Sequence, residues 1–318
     1  MVIKNISGGI THMTQHFHKG ILFYHKASGQ GDVHQELGQI TENLTKFCDD
    51  LTIKLSKEEG DIKSFCKEIS NNNYATPYDV LFILGGDGTL NELVNGVVEN
   101  NIQLPIGVLP GGTFNDFTKT LNLSQKPMQA SEDLLNSQIK SFDVLSVNGV
   151  YALNFTGIGL MVQNAENVQS NQKELLGKFS YVFSTLKTVS NPQIYDYHLI
   201  ADEKEYRGET SMILIANGQH VGGNRIPLED LSPNDGNMNI FVFENHNFSI
   251  INDFFKVKDS MNWNEISDSI THISCKDAYL KTEPDARLDI DGEIQYNTPI
   301  EVKVLKERVK LLYLDMEE

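Results

Sequence analysis

A glycine-rich run with one carboxylate near its start, at residues 85–92, has the composition of a phosphate-binding loop. It reads Gly-Gly-Asp-Gly-Thr-Leu-Asn-Glu, follows an apolar run at 80–84 and opens a helical pattern. Glycines let the backbone approach an anion closely, and the amides at a helix start favour negative charge. Asp87 alone would repel phosphate, but it suits a Mg²⁺ ion that shields a nucleotide. The alternative is a plain glycine-rich turn in which Asp87 caps the helix.

A second loop of related composition, Pro-Gly-Gly-Thr-Phe-Asn-Asp-Phe, occupies residues 110–117. It also follows an apolar run, at 106–109, and precedes a predicted helix. In an open parallel sheet, ligands bind in the crevice at the carboxyl ends of the strands. We therefore expect the two loops to serve one ligand. The alternative is that Thr113 or Asn115 only caps the next helix.

Two acidic stretches in the second half of the chain could also do chemistry. The stretch 288–293, Leu-Asp-Ile-Asp-Gly-Glu, alternates apolar and acidic residues, which predicts a half-buried strand with its acids on one face. A carboxylate at a strand end could act as a general base on a hydroxyl, although a hairpin turn explains the same letters. The stretch 232–236, Ser-Pro-Asn-Asp-Gly, is a turn by composition.

Strand and helix patterns alternate between residues 20 and 140, where the two glycine-rich loops lie. Strands are predicted at 21–24, 51–55, 80–84 and 106–109, and helices at 33–47, 62–69 and 90–97. This alternation is typical of βα units on a parallel sheet, so residues 20–140 are predicted to form an α/β, nucleotide-binding domain.

The pattern changes near residue 140, so residues 141–318 are predicted to form a β-rich, sandwich-like domain. Its last segment, 302–314, could belong to this domain or return to the first one. Two helical stretches, near 172–189 and 248–258, interrupt it. Short strands are predicted at 142–147, 151–155, 195–200, 211–216, 238–243, 270–274 and 278–281. Residues 1–19 are expected to be a flexible extension, although three histidines (His12, His16, His18) could also suggest a metal site.

Composition narrows the function classes. The chain has 26 Lys and Arg against 43 Asp and Glu, a net charge of −17, which disfavours nucleic acid as a partner. No apolar run approaches the roughly 18 residues of a membrane span, and the N-terminus lacks a secretory apolar region, so a cytoplasmic or inner-surface protein is expected. The three cysteines (Cys48, Cys66, Cys275) form no paired motif, which favours free buried thiols.

These motifs together resemble the diacylglycerol kinase catalytic-domain family, and in particular its soluble bacterial lipid kinases. The resemblance covers about residues 20–314 and depends on the two glycine-rich loops and the late Asp-Gly-Glu. It implies two domains, ATP and Mg²⁺ in the cleft, and a lipid hydroxyl as acceptor. Glu293 would activate that hydroxyl as proton acceptor. An acidic network around magnesium would use Asp87, Asp116, Asp143 and Asp235, and the nucleotide phosphates would contact Gly86, Asp87, Gly88, Thr89, Leu90, Asn91, Glu92 and Thr113.

The resemblance also implies a structural magnesium site in which Asp235 ligates by its side chain, with backbone carbonyls from Ser232 and Asn237. Glu229 and Leu231 replace the family's usual Pro and Ala before this loop. A further departure follows the first strand, where the family's Asn-Pro is missing. The loop there and one position after the second strand would still contact nucleotide, through His25, Lys26, Ala27, Ser28, Gly29 and Ser56.

The sequence therefore predicts an ATP- and Mg²⁺-dependent lipid kinase, with diacylglycerol as the first candidate substrate. An enzyme resembling NAD kinase and a nucleotide-binding regulatory module without turnover are the alternatives. The predicted partners are a membrane lipid and the inner face of the membrane, with a homodimer as one open oligomeric state. The helical segment with Lys173, Lys178 and Lys187 could border lipid, or be a covered amphipathic helix.

Overall fold

The computed structural model describes residues 16–25, 33–71, 77–159, 193–243, 251, 254 and 270–315. They divide into two compact units. The first unit contains the described residues of 1–142 and 308–318, and the second those of 143–307. The division after Phe142 lies two residues from the expected boundary, and the end of the chain belongs to the first unit.

The first unit alternates strands and helices, as the sequence pattern predicts. Its elements are β1 (Phe17–His25), α1 (Val33–Thr45), β2 (Cys48–Ser56), α2 (Asp61–Ser70), β3 (Val80–Gly85), α3 (Asp87–Glu99), β4 (Pro105–Pro110), α4 (Asp116–Thr120), α5 (Pro127–Asp133) and a 3₁₀ turn (Leu134–Asn136).

Strands β1 to β4 are parallel and ordered β2-β1-β3-β4. Every residue of β3 and β4 is buried, as expected for parallel strands covered on both faces. Helices α2 and α3 pack together, with Gly96 so close to Cys66 that a Cβ on this glycine would lie 2.8 Å from Sγ. Because β1 to β4 are parallel, their carboxyl ends lie at one edge of the sheet.

Strand β1 begins at Phe17, three residues before the point at which the sequence predicts structure. Phe17 is buried against Phe47, with ring centroids 5.2 Å apart. The side chains of His16 and His18 both contact the Asp49 carboxylate, at 2.7 and 3.0 Å. These residues are therefore part of the fold, whereas the first fifteen, with His12, lie outside the described residues.

The described part of the second unit consists almost entirely of strands. Its elements are β5 (Gln138–Val147), β6 (Val150–Ala152), β7 (Phe155–Ile158), β8 (Tyr195–Ala201), β9 (Lys204–Thr210), β10 (Met212–Ala216), β11 (His220–Val221), β12 (Asn224–Arg225), β13 (Met238–Phe243), β14 (Ile270–Cys275), β15 (Asp277–Glu283), β16 (Arg287–Ile290), β17 (Glu293–Asn297) and β18 (Ile300–Tyr313). Strand β5 begins in the first unit, and β18 ends there, parallel to β4.

Two sheets enclose the core of the second unit, which confirms the predicted sandwich. One is antiparallel, in the order β14-β13-β10-β7-β16-β17, and the other contains β15, β8 and β9 with the first half of β18. Ile213, Ile240 and Leu288 from the first sheet pack in one cluster with Leu199 and Leu280 from the second. The opposite face of the six-stranded sheet is also buried, so β10 and β13 are buried at every position rather than alternately.

The predicted helix near 172–189, with its three lysines, lies outside the described residues. Of the predicted helix near 248–258, the structure describes Ile251 and Phe254, which are both buried. No helix within the described ranges has the length and apolar character needed to cross a membrane. All three cysteines are free and buried, as predicted.

Candidate active site

The nucleotide-binding residues expected in the first unit follow the strands that end at one sheet edge. His25 at the end of β1 pairs in register with Ser56 at the end of β2. Gly85 at the end of β3 pairs with Pro110 at the end of β4. A crevice at the carboxyl edge of a parallel sheet is where such folds bind ligands. The expected contacts Lys26, Ala27, Ser28 and Gly29 lie outside the described residues.

The two glycine-rich loops are in direct backbone contact. The Gly111 amide donates to the Gly85 carbonyl at 2.8 Å. A Cβ added to Gly112 would lie 2.6 Å from the Cα of Gly86, and a Cβ on Gly86 would lie 3.0 Å from the Cα of Gly112. Only glycine permits this approach at both positions, so the sequence pattern reflects a close packing of the two loops.

Asp87 and Asp116 join the same two loops through a side chain. The Asp87 carboxylate accepts the backbone N–H of Asp116 at 2.7 Å. Asp116 is buried, and its own carboxylate lies 3.6 Å from the ammonium group of Lys119. Asp87 is the first residue of α3 rather than its N-cap, which is Gly86. Its carboxylate therefore supports the start of α4, and the interpretation of Asp87 as the cap of its own helix is wrong.

The N-cap residue of helix α3 is Gly86, which has no side chain to make a capping hydrogen bond of its own. The first-turn amides of an α-helix have no partner within the helix, and the helix dipole adds positive potential there. A Cβ placed on Gly88, the second residue of α3, would have no described atom within 4 Å beyond its chain neighbours and the backbone of its own helix. Among the described residues there is therefore space beside Gly88, and a helix start has the electrostatics of an anion site.

The loop before α4 is braced by Asn115. Its side-chain oxygen accepts the Gly112 amide at 2.8 Å, and its side-chain nitrogen donates to the Gly112 carbonyl at 3.0 Å. Asn115 adopts a left-handed backbone (φ 49°) and caps α4 with no side-chain hydrogen bond. Thr113 is exposed between these points. Asn115 is therefore the N-cap residue of α4 by position, but its side chain closes the loop at Gly112, a role that the sequence did not predict.

Glu92 engages a neighbouring helix. One of its carboxylate oxygens accepts the backbone N–H groups of Gly60, Ile62 and Lys63, at 2.9, 3.0 and 3.3 Å. These amides lie at the start of α2, whose own N-cap makes no side-chain hydrogen bond. The carboxylate thus supplies the missing cap. Nothing in the spacing of residues 60 and 92 along the chain signals this contact.

In the second unit, Asp143 holds two segments together and is completely buried. One carboxylate oxygen accepts the Gly236 amide and the other accepts the Glu307 amide, both at 2.7 Å. Its own N–H donates to the Pro233 carbonyl at 2.8 Å. The expected magnesium loop is therefore tied to Asp143 at two points, Pro233 and Gly236.

The expected metal ligands of this loop have oxygen donors within a short span. Asp235 is exposed, and one of its carboxylate oxygens accepts the Asn237 amide at 2.8 Å. The Ser232 hydroxyl donates to the Asn234 side-chain oxygen at 2.7 Å. Hard oxygen donors suit Mg²⁺. Within the described residues, no group of three or more His, Cys, Asp or Glu is arranged to hold a metal ion, so a site here would use backbone carbonyls and water beside Asp235.

Glu293 is the first residue of β17 and is half-buried. It follows a two-residue turn, Asp291-Gly292, and pairs with Ile290 at the end of β16. Asp291, which the sequence reading left without a role, is 3% exposed and accepts three backbone amides. The alternation of apolar and acidic residues is not an alternation of burial, because Asp289 and Asp291 are as buried as Leu288 and Ile290.

Each unit therefore gathers one part of the expected site. In the first unit the structure brings Asp87 and Asp116 together and places their loops at the sheet edge that His25 and Ser56 share. In the second unit it joins Asp143 to the loop at 232–237.

The comparisons with known proteins cover nearly the whole chain. A family model described as the diacylglycerol kinase catalytic domain matches residues 19–147, and one described as the YegS C-terminal NAD kinase beta sandwich-like domain matches residues 155–313. A "putative lipid kinase" of Staphylococcus carnosus is 63% identical over 306 residues, 96% of this chain and 100% of the relative. One from Staphylococcus haemolyticus is 54% identical over 300 residues, 94% of this chain and 97% of the relative.

A solved structure shows the same fold. The crystal structure of a "putative diacylglycerol kinase" from Bacillus anthracis matches with a TM-score of 0.83 at 31% identity, covering 93% of this chain and 97% of that one. Sequence matches in both units and this structural match agree, and the chain belongs to the diacylglycerol kinase catalytic-domain family, a family of kinases.

Proposed function

We propose that the protein is a lipid kinase that transfers the terminal phosphate of ATP to a hydroxyl of a membrane lipid, with diacylglycerol as the first candidate. The observation that supports it best is the start of α3, where Gly88 leaves space among the described residues and Gly86 packs against Gly112. The names of the relatives, putative lipid kinases, point to the same substrate class.

The nucleotide phosphates would bind at the edge of the first sheet. Amides at the start of α3 supply donors for phosphate oxygens, and the absence of a Cβ at Gly88 leaves room for them. His25 and Ser56 end the neighbouring strands at the same edge. We propose that ATP is held by His25, the loop 26–29, Ser56, the run from Gly86 to Glu92, and Thr113.

Magnesium fits the donors present. When bound, Mg²⁺ supplies charge neutralisation for the phosphates. In the first unit Asp87 and Asp116 offer carboxylates beside the proposed phosphate site, and in the second Asp235 offers one, with the carbonyls of Ser232 and Asn237. Both oxygens of Asp143 already accept amides, so we propose that Asp143 acts by holding the magnesium loop.

Glu293 is the proposed general base. Its carboxylate takes the proton of the lipid hydroxyl while the hydroxyl oxygen forms a bond to the γ-phosphorus. The bond between that phosphorus and the bridging oxygen breaks, and the electron pair leaves with ADP. Positioning and electrostatics supply most of the catalysis in phosphoryl transfer. Contact with the membrane surface follows from a lipid acceptor, and a homodimer stays a prediction.

A second candidate is a cofactor kinase that phosphorylates NAD. The observation in its favour is the family description of residues 155–313, which compares this domain with the β-sandwich of NAD kinase. The acceptor separates the two candidates, because NAD is water-soluble and diacylglycerol is not.

One assay tests the proposal. Purified protein is incubated with Mg²⁺ and γ-labelled ATP, in parallel with dispersed diacylglycerol, phosphatidylglycerol, a sphingoid base, and NAD. The proposal expects label in one lipid and none in NADP. Label only in NADP would favour the cofactor kinase. ATP binding with no labelled acceptor would favour a regulatory module.

A further inference from the structure

The turn before Glu293 has a conformation that its sequence favours, and the Asp289 carboxylate accepts the Gly292 amide at 2.8 Å. Asp291 and Gly292 form a two-residue connection between β16 and β17, with φ of 47° and 95°. Positive φ at both central residues marks the hairpin turn for which Asp-Gly is a preferred sequence. The hairpin therefore does not need the Asp291 carboxylate for its own backbone.

That carboxylate instead anchors the turn to the connection between β6 and β7 and to the first residue of β7. One oxygen accepts the Leu153 amide at 2.6 Å, and the other accepts the amides of Asn154 and Phe155 at 2.9 and 2.8 Å. The N–H of Asp291 donates to the Phe155 carbonyl at 3.1 Å, which extends the pairing of β16 with β7 by one residue. Charge-assisted hydrogen bonds of this kind are roughly twice as strong as neutral ones.

This anchoring matters because of where Glu293 lies. Strand β17 is at the edge of its sheet, and its strand neighbour among the described residues is β16. Glu293 opens this edge strand directly after the turn. Its backbone is therefore held on one side, through a hairpin whose attachment to the rest of the sheet is reinforced by Asp291.

We propose that Asp291 is a positioning residue for phosphoryl transfer, which fixes the Glu293 carboxylate by anchoring its turn to the Leu153–Phe155 segment. This inference rests on the proposed function. Displacing a reacting group by about 1 Å costs on the order of 100-fold in rate. Asp291→Asn keeps the size of the side chain but turns an NH₂ group toward a backbone N–H, so it should loosen the turn.

The first measurement is the kcat and the KM for ATP of Asp291→Asn. We expect kcat to fall by about 10- to 100-fold, and the KM for ATP to change by less than about twofold, because the nucleotide loops are in the first unit. The control is Asp202→Asn. Asp202 also has a left-handed backbone (φ 42°) and accepts the amides of Lys276 and Asp277, but it lies in the other sheet.

The second measurement separates positioning from general damage. If Asp291 acts through Glu293, Asp291→Asn should cost little further rate in a Glu293→Gln background. A loss of 10-fold or more in that background would overturn the inference, and so would a wild-type kcat in Asp291→Asn. An equal loss in Asp202→Asn would also overturn it.

If Asp291→Asn does not fold, Thr156→Val tests the same contact between β7 and β16. The buried Thr156 hydroxyl donates to the Asp289 carbonyl at 2.8 Å, between β7 and β16. Thr156→Val should lower kcat less than Asp291→Asn does, and it should likewise cost little further rate in the Glu293→Gln background. A wild-type kcat in Glu293→Gln would refute the proposed base. A lower kcat in Glu293→Gln together with wild-type kcat values in Asp291→Asn and Thr156→Val would refute only the role of Asp291.

Discussion

Gly88→Ala separates the stability of the first unit from its ability to bind ATP. Gly88 is the second residue of α3, and a Cβ at this position would have no described atom within 4 Å beyond its chain neighbours and its own helix backbone. Replacing a helical glycine with alanine stabilises by about 0.5–1 kcal/mol, because glycine loses more backbone freedom on folding. For a unit of this size the melting temperature should rise by about 1–4 °C.

The added methyl group should nevertheless weaken ATP binding. The space that it enters is the one proposed for phosphate, and overpacking typically costs about 1–3 kcal/mol. That corresponds to about a 5- to 150-fold higher Kd for ATP. Calorimetry gives the Kd, and thermal unfolding without ATP gives the stability.

Gly38→Ala is the matched control. Gly38 lies within α1, and a Cβ added there also has no described atom within 4 Å beyond its chain neighbours and its own helix backbone. Gly38→Ala should therefore gain similar stability and keep the ATP affinity of the wild type. An unchanged ATP affinity in Gly88→Ala would refute the location of phosphate at the start of α3.

Two further predictions concern groups whose roles the structure makes specific. Glu92→Ala removes the acceptor of three amides at the start of α2 and should destabilise the protein by about 1–2 kcal/mol, measured by urea unfolding; an unchanged unfolding midpoint would contradict the capping role. Burial raises the pKa of Cys48 to about 11 and those of Cys66 and Cys275 to about 12. A thiol reagent at pH 8 should therefore label none of the three in the native protein and all three after denaturation. Rapid labelling of the native protein would contradict their burial.

The sequence predicted the parts of the fold that follow from local pattern. The apolar runs at 80–84 and 106–109 are strands, and the glycine-rich loops follow them, because a fully buried parallel strand and a helix start both have local signatures. In the second half, the segment predicted as one strand at 151–155 is two, β6 and β7, separated by the residues that Asp291 holds. The residues 151–155 alone could not predict this interruption between β6 and β7, because the carboxylate that stabilises it belongs to Asp291.

The functional roles that the sequence missed all depend on contacts between distant residues. Glu92 reaches α2 across about thirty positions, and Asp291 reaches Leu153 across 138. Asp143 appeared only as one acid of a network, whereas its burial and its two amide contacts make it a structural support of the magnesium loop. A carboxylate that binds a ligand and one that binds backbone amides look the same in a sequence. Only the tertiary structure separates them.

The central claim is that this chain transfers phosphate from ATP to a lipid hydroxyl with Glu293 as the base. The most direct test is a single-turnover measurement with γ-labelled ATP, Mg²⁺ and diacylglycerol in vesicles, comparing the wild type with Glu293→Gln at saturating ATP. The account predicts labelled phosphatidic acid from the wild type and a rate lower by several orders of magnitude in the variant, with the Kd for ATP unchanged. A variant as fast as the wild type would contradict the assignment of the base, and a wild type that labels NAD but no lipid would contradict the lipid kinase.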